Sequence, residues 1–156
     1  LEEVRQHLGP ATLRHSGDAG ESQYLVCYVA AKAGIQVAFK SGELGGPENE
    51  LQGFSMKVQG TNASPGCSTL TPEREAGLKF SIGRLRLGIA REEFRRIVRK
   101  ADGGATHLVA QFLYQDPTPG RGAPGNGAPW DTLITVEGRF ADGKATEISV
   151  WRVVTQ

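Results

Sequence analysis

Charge of one sign is missing from this chain: 18 basic residues stand against 17 acidic ones, for a formal net charge of +1. Such a balance leaves no electrostatic footprint for a nucleic-acid groove or an anionic membrane surface. The local basic cluster Arg95, Arg96, Arg99 and Lys100 shares a helical stretch with Glu92 and Glu93, and reads as a solvated face. Long hydrophobic runs are missing too. None approaches the roughly 18 residues of a membrane-spanning helix, so no transmembrane span is expected. An initiator Met and a signal-peptide pattern are absent from the start, and Leu1 already lies inside a helical pattern. The expectation is a truncated or processed chain, in which any membrane association would run through a missing N-terminus.

Cysteine is scarce, and neither Cys27 nor Cys67 lies in a Cys-x-x-Cys or Cys/His pattern, so no metal site and no cofactor are expected. The histidines His7, His15 and His107 are scattered. No Ser/His/Asp set or carboxylate pair is spaced for joint chemistry, and no catalytic residue is assigned. Gly120-Arg-Gly122-Ala-Pro-Gly125 matches a dinucleotide fingerprint as text only. It lacks the strand-turn-helix setting, and Pro124 argues against a helix starting there.

What the chain does have is glycine and proline, 21 and 8 residues, punctuating short periodic segments. Leu1, Val4 and Leu8 recur at helical spacing until Gly9-Pro10 stops them. Tyr24–Ala30, Ile35–Lys40 and Phe54–Val58 read as strands, with Ile35, Val37 and Phe39 on one face and Gln36, Ala38 and Lys40 on the other. Leu78–Ile82 reads as a short strand. A second helix is expected from about Ala90, its apolar stripe made by Ile89, Phe94, Ile97 and Val98. His107–Tyr114, Trp130–Phe140 and Glu147–Val154 follow as strands. Residues 117–129 form a Gly/Pro-rich loop expected to be mobile, and Ala141-Asp-Gly-Lys144 a tight hairpin turn.

Segments before and after the middle match in order: Val4–Gly9 with Phe94–Arg99, Tyr24–Ala30 with His107–Tyr114, Ile35–Val37 with Ile134–Val136, and Phe54–Met56 with Ile148–Val150. The predicted fold class is α+β, two tandem helix-plus-antiparallel-sheet repeats packed together, with residues 1–74 as the first repeat and 75–156 as the second. Cys27 in a strand and Cys67 in a turn favour a disulfide over two free thiols, and with it an oxidising compartment. The alternative is a buried free Cys27 acting as a small hydrophobe.

The phrase Gly83-Arg-Leu-Arg-Leu-Gly-Ile-Ala-Arg-Glu-Glu-Phe94, with its partner Glu3-Val-Arg-Gln-His-Leu-Gly-Pro10, resembles the helix signature of the small bacterial envelope family of SmpA/OmlA type. The side-by-side arrangement is similar to that of the proteins of β-lactamase inhibitory type. The resemblance implies a fold and a periplasmic or cell-envelope location, and says less about a target.

Function is expected from surfaces, through another protein as partner. Tyr114, Arg121 and Trp130 are placed at the base and tip of the Gly/Pro loop, and aromatic residues on loops held by a sheet are frequent binding anchors. If Ile148 and Val150 face the core, Trp151 points outward from the last strand. The expected function is that of a non-catalytic exported protein binding another protein through a sheet face and loops, in envelope assembly or as an inhibitor-like binder. The alternative is a small ligand-binding domain or enzyme whose site has no sequence signature.

Overall fold

The computed structural model describes residues 1–17, 23–42, 51–60, 65–116 and 130–155. The 117–129 loop, expected to be mobile, lies outside them. In chain order the elements are α1 (Glu2–Leu8), β1 (Arg14–Ser16), β2 (Gln23–Ala30), β3 (Ile35–Gly42), β4 (Gly53–Val58), β5 (Ser68–Thr69), α2 (Pro72–Ala76), β6 (Ser81–Ile82), β7 (Leu85–Arg86), α3 (Arg91–Ile97), β8 (His107–Asp116), β9 (Trp130–Ala141) and β10 (Lys144–Thr155).

One sheet runs through most of them, in the order β1-β2-β3-β4-β10-β9-β8, with β5 added to β2. All of its pairs are antiparallel except β2 with β5. The expected α+β class is therefore corrected: this is a β-rich fold, not helix-plus-sheet repeats packed together. The reason lies in lengths and edges. The helices have 7, 5 and 7 residues, about two turns at most, while β9 and β10 have 12 residues each. Strands β4 and β10 meet edge to edge, pairing Lys57 with Glu147, Met56 with Ile148 and Phe54 with Val150, so the sheet is continuous across the middle of the chain. Leu78–Ile82 is also corrected. Only Ser81–Ile82 is strand, and it pairs with β7 in a separate hairpin.

The core lies on one face of this sheet. Val26, Tyr28, Leu108 and Ile148 are fully buried there, beneath Leu1, Val4 and Leu8 of the α1 segment and Phe94 of α3. Glu2 and Glu3 open α1 and Arg5 and His7 close it, the arrangement a helix dipole favours. α2 starts on Pro72 after the cap Thr71, whose hydroxyl accepts from the Arg74 amide at 3.5 Å. α3 docks through Phe94, whose ring rests on the backbone of Gly138. A Cβ there would stand 2.8 Å from Phe94 Cε2, so only glycine lets the helix come this close.

Two polar links hold the end of the first helix, one from β2 and one from α2. The Tyr28 hydroxyl donates to the Gly9 carbonyl at 2.7 Å, and Arg74 donates to the Leu8 carbonyl at 3.2 Å. Burial pushes the Tyr28 phenol above its ordinary range, against the pull of nearby Arg5 and Arg74 and with a small push from Glu2. Cys27 of β2 and Cys67, which precedes β5, form the expected disulfide, with Cα atoms 4.6 Å apart and 40 residues of separation. A free Cys27 is thereby excluded.

Two predictions follow from these links. Cys67→Ser should lower stability by about 4 kcal/mol in the chain-entropy model, read as a drop in denaturation midpoint that reductant reproduces in the parent protein. A midpoint unmoved by reductant would contradict it. Tyr28→Phe should cost about 1 kcal/mol at neutral pH, because the Gly9 carbonyl loses its donor. Because the folded phenol titrates above the unfolded one, its contribution is complete below the unfolded value near pH 10 and is lost as pH rises through the folded value. Denaturant titrations from pH 8 to 11.5 should show the parent losing more stability than Tyr28→Phe; parallel loss would contradict the assignment.

Candidate functional site

The strand pairings also organise the face opposite the helices. Cys27, Ala38, Ser55 and Ser149 line up across β2, β3, β4 and β10, a row of small side chains. One neighbouring row holds Val29, Gln36, Lys57, Glu147 and Arg139, with Arg139 Nε 3.8 Å from Glu147 Oε2. The other holds Leu25, Lys40, Gly53, Trp151 and Thr135. Long side chains thus flank short ones. Gln36 and Ala38 lie on this face as their alternation suggested, but at 9 % and 8 % exposure they are buried there.

Trp151 occupies the centre of this face because Gly53 makes room for it. A Cβ on Gly53 would collide with Trp151 Cε3 and sit 2.7 Å from Cζ3, so the indole lies directly over the strand backbone. The Lys40 ammonium stands 4.3 Å from the ring centroid, a cation–π arrangement on the next strand. Beside them opens a recess of about 260 Å³, bordered by Gln23, Gln52 and Val153 among others. From there an apolar row continues outward: Val153 faces Leu133, and Leu133 faces Leu113. Val153 is 50 % exposed and Leu113 is 64 % exposed. Closer to the turns, His107 Nε2 and Glu137 Oε2 are 3.6 Å apart.

Of the residues singled out from sequence, Trp151 lies on the outer face as expected. Tyr114 does not join it. It is 58 % exposed on the edge strand β8, and its register with Thr132 puts it in the alternation of Ala110 and Phe112, on the helix-bearing face. Trp130 begins β9, its backbone paired with Asp116 at the mouth of the loop. Arg121 lies outside the described residues. Lys40, Gly53, Leu113 and Val153 were missed. A glycine opening a strand is itself a sign of close approach, and Gly53 was the available clue. The apolar row becomes visible only once the register is known.

The arrangement offers shape, apolar surface and a few charges. Among the described residues no group of three or more His, Cys, Asp or Glu could hold a metal ion, and no helix is long and apolar enough to cross a membrane. No family model, curated protein or solved structure matches this chain.

Gly53→Ala should cost about 1–3 kcal/mol by overpacking and expose the displaced indole. In a Trp130→Phe background the single-tryptophan emission should shift to the red. Lys40→Met should change stability by about 1 kcal/mol or less. A neutral Gly53→Ala with unchanged emission would mean that the indole does not rest on this strand.

Proposed function

We propose that this chain is a non-catalytic exported protein that captures another protein on the sheet face opposite its helices. The observation that carries the reading is the continuous apolar row Trp151, Val153, Leu133 and Leu113, two of whose members are at least half exposed on an ordered sheet. An apolar patch presented on a rigid surface and bordered by charge is the usual signature of a protein contact. Lys40 adjoins the row at Trp151, and Glu137, Lys57, Glu147 and Arg139 lie farther along the same face, so the face carries both signs, which suits a partner selected by pattern and not by net charge. Trp151 is the natural anchor, since its ring is immobilised before binding and little entropy is lost on capture.

The disulfide is consistent with an oxidising, extracytoplasmic compartment. Within the proposal that compartment is the periplasm or cell envelope, and the role is assembly of the envelope or inhibition of an exported protein. The resemblance of residues 3–10 and 83–94 to the envelope family supports the same reading.

Affinity capture from a native envelope fraction, read by mass spectrometry, tests it. The parent chain should retain a specific protein; Val153→Asp and Trp151→Ala should each reduce its recovery at least ten-fold, the cost of losing an anchor. Their melting temperatures should stay within a few degrees of the parent. Equal recovery by parent and variants would contradict the face, and loss of folding in Trp151→Ala alone leaves Val153→Asp to decide.

A further inference from the structure

On the helix-bearing face, the sheet is not fully covered. Phe39 and Phe54 are only partly buried although they lie in the middle of it. Residues 78–82 pass across this region, and a pocket of about 220 Å³ lies between that segment and the strands. Val37, Phe39, Phe54 and Met56 of β3 and β4 line one side, and Phe80 and Ile82 the other. No acidic residue lines it among the described residues. Lys79 and Ser81 are its polar members, and both are exposed.

The one charged side chain among the described residues that line the pocket is Lys79. The hairpin of β6 and β7 that follows turns Leu85 into the core and leaves Arg84 and Arg86 exposed. Arg74 reaches the carbonyl of Leu8, which also lines the pocket. On the neighbouring α2, Glu75 is buried and accepts from the Ala33 amide at 2.7 Å, while Glu73 lies on the exposed side.

A volume of about 220 Å³ is smaller than the roughly 300–1,000 Å³ of sites for drug-sized ligands. It suits one short apolar chain. The apolar walls cannot satisfy a polar head, which must stay at the rim, where Lys79 is the charged side chain among the described lining residues. We propose that this pocket binds the alkyl tail of a medium-chain carboxylate, with its head group outside beside Lys79. The site is on the opposite face from the protein-binding surface and does not depend on it.

Met56 lines the pocket and is the only methionine in the chain, so a [methyl-13C]methionine label reports on this site alone. Sodium decanoate, kept below its micelle-forming range, should shift the Met56 methyl resonance saturably while the rest of the spectrum stays dispersed. Decanol should bind about ten-fold more weakly, the worth of one charge-assisted contact, and decyltrimethylammonium should not shift the methyl. Lys79→Glu should weaken decanoate about ten-fold and leave decanol unchanged. Ile82→Trp, which fills the cavity, should abolish the response to every probe; if it does not fold, Lys79→Glu decides. No saturable shift with millimolar decanoate would overturn the proposal. So would equal responses to decanoate and the ammonium probe, unchanged decanoate affinity in Lys79→Glu, or a response only to an acidic, leucine-rich peptide.

Discussion

The antiparallel pairing of β4 with β10 is the constraint on which the rest depends. It places Met56 beside Ile148 and Phe54 beside Val150 on one face, and Gly53 beside Trp151 on the other. One set of backbone hydrogen bonds therefore joins the strands of the first 58 residues to those of the last 50. The buried apolar layer continues across that joint from Tyr28 to Leu108 through Val37, Met56, Ile148 and the backbone of Gly138. Neither set of strands could bury its apolar face as well alone, because a sheet of a few strands under a two-turn helix leaves much of it exposed.

The two faces of the sheet do different work. On one, Phe94 and the α1 segment cover the ends of the apolar layer and leave a pocket between them beneath residues 78–82. On the other, the joint itself carries the candidate anchor: Trp151 lies over Gly53, with the Lys40 ammonium over its ring. A change at Gly53 is thus felt both in strand pairing and in surface shape, which couples stability to the shape of the proposed binding face.

Much of the local structure was legible in the sequence. The β-branched and aromatic run Tyr24–Ala30, the alternation in Ile35–Lys40 and the Asp142-Gly143 turn each specify their element by short-range chemistry, and the strands and hairpin appear there. The Cys27–Cys67 pairing could be favoured from where the two residues fell relative to strand and turn, and it is present. The fold class was not legible. Gly9-Pro10 marks where the first helix stops, but nothing local states which strand edges will meet. The same non-local information governs the site. Alternation placed Trp151 correctly because one strand's pattern suffices, whereas Tyr114 needed the register of β8 against β9, and the burial of Gln36 and Ala38 depends on neighbours from other strands.

The most direct measurement of the central joint is native-state amide hydrogen exchange resolved by residue. If β4 and β10 form one cooperative unit with the strands on either side, the hydrogen-bonded amides of 53–58 and 147–151 should exchange only through global opening, as slowly as those of Val26, Tyr28 and Leu108. Fast exchange at the joint beneath two separately protected groups of strands would contradict the continuous sheet.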